Sequence, residues 1–157
     1  FEYLHLELVH YYSAKYLALY QSKDDILFKE ELKKSLKTIG QQIGIRVIEK
    51  KSKDIPFFTD QLEIMRFLCK NIWSYLFLKN IDKLQTDDYG VYVLNDVKFR
   101  FINKASSPTV KNIDLIPYTW LACGILEGTL QNLGYNMKVT SKIVNYPSVI
   151  FRIEKLS

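Results

Sequence analysis

The sequence predicts an α+β fold, helices packed on one face of a four-stranded antiparallel sheet, ordered α-α-α-β-β-α-β-β over a single domain of residues 1–157. Three observations carry this. Apolar residues recur at three- and four-residue steps in four long stretches, the period of an amphipathic helix. Shorter stretches alternate apolar and polar residues, the period of a half-buried strand. Gly, Pro, Asn and Asp cluster where one period gives way to the other.

The opening stretch FEYLHLELVHYYSAKYLALY sets Leu4, Leu8, Tyr11, Tyr12 and Leu19 near one face of a tyrosine-rich amphipathic helix. Asp24 and Asp25 are placed to cap a second helix through Leu32, Leu36, Ile39, Ile43, Val47 and Ile48, with Lys33, Lys34 and Lys37 on a charged outer face. Within it stand Gly40 and Gly44, where each Gly costs about 1 kcal/mol relative to Ala. Two side chains missing from one face open a groove for close approach of another backbone. Pro56 closes this region, so residues 52–58 read as a connecting loop.

Thr59 or Asp60 then caps a central helix, with Glu63 at capping-box spacing from Asp60. Its stripe is Leu62, Met65, Leu68, Cys69, Ile72 and Leu76, and Phe67, Trp73 and Phe77 widen it as expected of a helix buried on more than one side. Asp87, Asp88 and Gly90 mark the turn into a hairpin. Its strands are read at Val91 and Val93 and, across Asn95 and Asp96, at Phe99 and Phe101. Residues 103–117 read as a polar loop closed by Pro117. A further helix follows through Leu121, Ile125, Leu126, Leu130 and Leu133. It carries a second glycine pair suited to tight packing, Gly124 and Gly128, and ends at Gly134, a left-handed C′ position. The tail alternates at Val139 and at Val149, Phe151 and Ile153, two strands joined through Asn145, Tyr146 and Pro147.

A chain of 157 residues buries roughly two thirds of its unfolded surface, enough for a core without staples. Hydrophobic content of 48% argues against intrinsic disorder. No apolar run of about 18 residues and no signal-peptide pattern occurs. The sequence starts at Phe1 and not at Met, so its natural start is not visible. Cys69 and Cys123 are too few for a disulfide framework and lack metal-ligand spacing, so a reducing compartment is expected. The net charge of +5 fits a lysine-rich solubilising surface and is compatible with an anionic lipid or an acidic partner.

Residue spacing assembles no set of reacting groups. His5 and His10, the only histidines, stand about 140° apart around one helix and do not converge on a metal. Neither cysteine has a histidine base in a sequence-defined constellation. The pairs Asp24, Asp25 and Asp87, Asp88 fit caps and turns. Walker loops, nucleotide cradles and HExxH are absent, and basic residues are not interleaved with aromatics, which argues against nucleic acid. The expectation is a protein that is not an enzyme, with no catalytic residue, no metal and no cofactor.

The run Leu62, Ile64, Met65, Phe67, Cys69, Lys70, Trp73, Phe77, Ile81, Asp82, Leu84, Thr86, Gly90, Tyr92, Val93, Leu94, Asp96, Lys98, Phe99 and Arg100 resembles one family. So do Leu4, His5, Glu7 and Val9, then Gly40, Gly44, Ile48 and Glu49, and Cys123, Gly124, Gly128, Leu130, Asn132, Leu133 and Gly134. That family is the small subunits of TRAPP, the transport protein particle that tethers vesicles and activates Rab GTPases. Within it the chain resembles the thirty-three-kilodalton branch, subunit six of animals. The resemblance implies a scaffold subunit that pairs with a related small subunit as a heterodimer, joins further TRAPP subunits and meets a Rab GTPase indirectly. It implies a cytoplasmic protein, peripheral at Golgi and ER membranes, in ER-to-Golgi and Golgi transport. Some members carry an acyl chain on a cysteine in the loop between the second and third helices; residues 52–58 contain no Cys. The apolar, tyrosine-rich faces of the first two helices exceed what one core needs, so Leu4, Leu8, Tyr11, Tyr12, Ile43 and Val47 are the expected partner contact. The alternative is a small hydrophobic-ligand module, with Phe67, Trp73 and Phe77 lining a pocket.

Overall fold

Two long helices open the chain, α1 (Glu2–Leu19) and α2 (Asp25–Lys51). The computed structural model describes residues 2–19, 25–51, 53, 55, 57–87, 89–105 and 115–156. The cap expected at Asp24 and the turn residue Asp88 lie outside them, as do Ser52, Asp54 and Pro56 of the expected loop. The central helix starts where Asp60 Oδ1 accepts the Glu63 N–H at 2.8 Å. The Glu63 carboxylate reaches back to the N–H of Thr59 at 2.8 Å, so the reciprocal half of the capping box falls one residue early. It runs as α3 (Gln61–Phe67), a π-helical turn (Leu68–Ile72) and α4 (Trp73–Phe77). Within the widened turn the Cys69 carbonyl accepts the N–H of Ile81 at 3.1 Å, tying the helix to the lead into the sheet. Leu78, at φ 57°, stops it.

Four strands follow, β1 (Lys83–Thr86), β2 (Tyr92–Asp96), β3 (Met137–Ile143) and β4 (Val149–Lys155), in the antiparallel order β1-β2-β4-β3. Leu94 lies opposite Leu84 on one side and Phe151 on the other, and Val139 opposite Ile153. Period 2 sends Tyr92, Leu94, Phe151, Ile153 and Val139 into the core, while Lys138, Lys142 and Arg152 stay exposed. The expected fold class and the α-α-α-β-β-α-β-β order hold, with one short helix added, α5 (Arg100–Ala105).

That helix corrects the first hairpin. Asn95 and Asp96 are strand residues rather than the turn, and Phe99 and Phe101 belong to the entry of α5 rather than to a strand. The hairpin loop lies earlier, where Asp87 Oδ1 accepts the N–H groups of Tyr89 and Val91 at 3.0 and 2.9 Å. After β2 the N–H groups of Val97 and Lys98 are taken by carboxylates of Asp82 and Asp96, and the far side of β2 is occupied by β4. A strand over 99–101 would have no lateral partner. Its apparent alternation is a turn followed by helix, which buries Phe99, Phe101 and Ile102 together.

The last helix, α6 (Pro117–Asn132), has Pro at its first position and ends in a Schellman motif. Tyr135 N–H bonds the Leu130 carbonyl at 2.9 Å and Gly134, at φ 88°, bonds Gln131 at 3.0 Å. Helix α6 lies against α2 with almost nothing between the backbones. A Cβ on Gly40 would sit 2.9 Å from the Gly124 Cα, on Gly44 2.8 Å from the Thr129 nitrogen, on Gly124 2.8 Å from the Lys37 Cα, and on Gly128 2.6 Å from the Gln41 Cα. The obstacles are backbone atoms, which do not swing aside.

Gly44→Ala is therefore expected to destabilise by about 1–3 kcal/mol through overpacking, despite the helix propensity that Ala adds. Urea denaturation monitored by circular dichroism checks this, and an unchanged or raised midpoint would contradict the tight seam.

Candidate functional site

Helix α1 packs on α2, α5 and α6, and its Val9 is buried in the core. Its outer face leaves Leu4 53% and Tyr11 61% exposed, with Leu8 and Tyr12 half-buried. Tyr11 and Tyr12 meet edge to face at 5.3 Å. Ile26 and Leu27 are exposed at the start of α2. Ile43 and Val47 are half-buried against the core, so they offer less free surface than α1 does. The side chain of His5 lies outside the described residues. His10 Nε2 stands 3.0 Å from the Tyr118 hydroxyl, a bond between α1 and α6.

Two polar clusters are assembled inside the fold. Lys37, expected on an outer face, instead turns inward and donates to Glu127 Oε1 and to the Val139 carbonyl, while Glu127 accepts from Gln41 Nε2 at 3.0 Å and from the Val139 N–H at 2.8 Å. These bonds occupy backbone groups of β3, an edge strand, and so shield that edge from further pairing. In the second cluster Asp96 is fully buried and accepts Trp73 Nε1 at 2.8 Å, the Lys98 N–H and Lys79 Nζ. Lys79 also reaches Asp82 at 2.7 Å. Burial alone would lower the Lys79 ammonium, but its hydrogen bonds to Asp82 and Asp96 raise it above its usual range. Burial would raise the Asp82 carboxyl, yet the bonds from Lys79 and the Val97 N–H hold it below the usual carboxylate range.

Trp73 and Phe77 are buried among other aromatic rings. Their rings lie 4.3 Å apart and pack on Phe99, Phe101 and Phe151 with centroids 4.9–5.9 Å away, and both residues are 1% exposed. Phe67 points elsewhere. It meets Phe58 at 5.3 Å on the floor of a groove of about 340 Å³ that Arg66 and Lys70 border. Cys69 and Cys123 are buried, and burial pushes their thiols up to about 12 and about 11. Among the described residues no group of three His, Cys, Asp or Glu is placed to hold a metal.

Sequence reasoning missed Lys37 with Glu127, Asp96 as a buried carboxylate, and the groove. Only Asp96 carried a signal: it shares strand parity with Tyr92 and Leu94 and so had to point inward.

The architecture is an α+β module in which a glycine-seamed helix pair accompanies a four-stranded antiparallel sheet. The chain belongs to the transport protein particle (TRAPP) component family, which matches residues 1–155. Trafficking protein particle complex subunit 6B of Homo sapiens is 36% identical over 118 residues, 75% of this chain and 75% of that protein. Subunit 6b of Danio rerio is 31% identical over 153 residues, covering 98% and 93%. The resemblance to subunit six therefore holds. Subunit 3 of that complex from Naegleria fowleri, solved covalently bound to palmitic acid, superposes on 100% of this chain and 99% of its own with a TM-score of 0.65, at 15% identity, a likeness of fold alone.

Lys79→Met leaves a buried carboxylate without its cation and is expected to destabilise by about 3 kcal/mol. Asp82 has a lowered folded pKa, so its contribution is present above an unfolded value of about 3.9 and is lost as pH falls through the folded value. Lys79 has a raised one, so its contribution is present below about 10.4 and is lost as pH rises through the folded value. Asp82→Asn should accordingly flatten the acid limb of stability against pH, measured by thermal melts across the acid range; an unaltered limb would exclude the assignment. Both cysteines should resist a thiol-reactive dye near neutral pH in the folded protein and react in urea, and rapid labelling without denaturant would show that the thiols are not buried.

Proposed function

We infer that the chain is a non-catalytic scaffold subunit of the TRAPP vesicle-tethering and Rab guanine nucleotide exchange complex, in ER-to-Golgi and Golgi transport. It pairs with a related small subunit as a heterodimer, joins further subunits and reaches the Rab GTPase only indirectly, from a cytoplasmic position peripheral to Golgi and ER membranes. Family membership over residues 1–155 supports the complex. The observation that carries the pairing is the exposure of large apolar side chains on α1, Leu4 53% and Tyr11 61%, with Ile26 81% and Leu27 47% also exposed at the start of α2. An apolar, aromatic patch of this kind suits the centre of an interface of about 1,600 Å². No described helix is long and apolar enough to cross a membrane, which agrees with attachment through partners or at the bilayer surface.

The second reading, a hydrophobic-ligand module, draws on the palmitic acid covalently bound to the subunit 3 relative in fold. Against it, residues 52–58 lack a cysteine and phenylalanine rings fill the space beside Trp73 and Phe77. Native mass spectrometry separates the two: a retained ligand supports the module, and a ligand-free heterodimer supports the scaffold.

Leu4→Glu combined with Tyr11→Glu is expected to weaken association with the related small subunit tenfold or more, roughly 1.4 kcal/mol at least. Both positions are exposed, so circular dichroism should be unchanged. Undiminished co-purification of the two subunits would overturn the pairing surface.

A further inference from the structure

We propose that the groove between the Phe57–Phe58 loop and the outer wall of α3 and its π-helical turn docks a short acidic peptide segment of a partner protein, anchored by one apolar side chain. The groove is open to solvent and has a volume of about 340 Å³. Its floor is the Phe58–Phe67 ring pair, tilted 61° with centroids 5.3 Å apart. Phe57, 93% exposed, stands beside this floor with its ring in solvent. Arg66, from α3, and Lys70, from the π-helical turn, both exposed, also line it. Among the described residues neither forms an ion pair. The one carboxylate in the lining, Glu63, already accepts the Thr59 N–H. Three aromatic rings beside two cations without an ion-pair partner and one carboxylate present an apolar seat with a net positive rim, and its complement is a hydrophobic residue flanked by Asp or Glu. The π-helical turn fits such a role, because the widened turn is an irregularity that recurs at functional positions in helices.

A peptide suits the groove better than a membrane surface does. Anionic bilayers are read by clusters of about 4–8 Lys and Arg. Here the site is an open groove with aromatic rings in its lining, and its cations number two. An aromatic ring pair takes a side chain from a neighbouring chain. The groove lies on α3 and its preceding loop, away from the α1 residues assigned to the sibling subunit, so a variant here leaves that pairing as an internal control.

The test is selection from a random peptide display library on the immobilised full chain, followed by fluorescence anisotropy of the selected peptides against wild type and the Arg66→Glu, Lys70→Glu double variant. The expected sequences place Phe, Leu or Ile next to Asp or Glu. Their affinity should fall about tenfold or more in the double variant, weaken at raised salt and fall again with Phe57→Ala. Selected sequences without this pattern, or equal affinity for the double variant, would overturn the site. Loss of sedimentation with phosphatidylserine vesicles in the double variant, with peptide binding unmoved, would give the groove to the membrane and also overturn it. All three substitutions are at exposed positions, and unchanged thermal melts verify that the fold is intact.

Discussion

The backbone contact between α2 and α6 is the constraint on which the rest of the molecule depends. Gly40 and Gly44 on one helix face Gly124 and Gly128 on the other, and each glycine meets a segment of the opposite backbone at the place a Cβ would occupy. Four glycines in helix interiors weaken those helices by roughly 1 kcal/mol each. The compensation is dense packing along the seam, with dispersion over two whole backbones and carbonyl oxygens directed at glycine Cα hydrogens. A seam made of backbone has no rotamers, so it fixes the helices in one register.

That register places the polar clusters. Lys37 and Gln41 sit on the α2 turns that clasp Gly124 and Gly128, and the same approach delivers both side chains to Glu127. Glu127 and Lys37 then hold the two backbone groups of Val139, so a contact between helices also determines where the sheet stops. At the far side of the sheet Asp96 does comparable work for the central helix, joining Trp73, Lys79 and the turn after β2. An ion pair in this setting is weak evidence for net stability against an apolar replacement, since desolvation opposes it. Its directional bonds do admit only one arrangement of Trp73 over the sheet.

The elements with long, strongly periodic signals were legible: the helices, the β3–β4 hairpin, the Asp60 cap and the Gly134 terminus. The glycine spacing announced a close approach but not its partner, because two pairs of glycines face each other only once the chain is folded. Phe99 and Phe101 misled because inward residues at i and i+2 satisfy both a strand and the entry to a helix, and only the occupation of the β2 edge by β4 decides between them. Lys37 was placed on the wet side by its neighbours Lys33 and Lys34. Its inward turn depends on Glu127, ninety residues away. Arg66 and Lys70 were invisible as a site for the same reason: their floor includes Phe58, which the sequence puts in a loop with no stated direction.

A core fixed by backbone contact has a consequence for how such a subunit works. Association costs less when the partner surfaces are ordered beforehand, because the loss of side-chain and loop freedom has been met by folding. The His10–Tyr118 bond ties α1 to the seam helix α6 and Val9 is buried in the core, while Leu4 and Tyr11 stay exposed. The groove at Phe58 is supported differently, on a helix stiffened by the Cys69–Ile81 bond but closed on one side by a loop ending at Phe57. A rigid face favours one durable partner, and a face with a loop wall favours short segments that exchange. On the proposed function, the α1 face would serve the sibling subunit and the groove a short exchanging segment, from separate helices over one core.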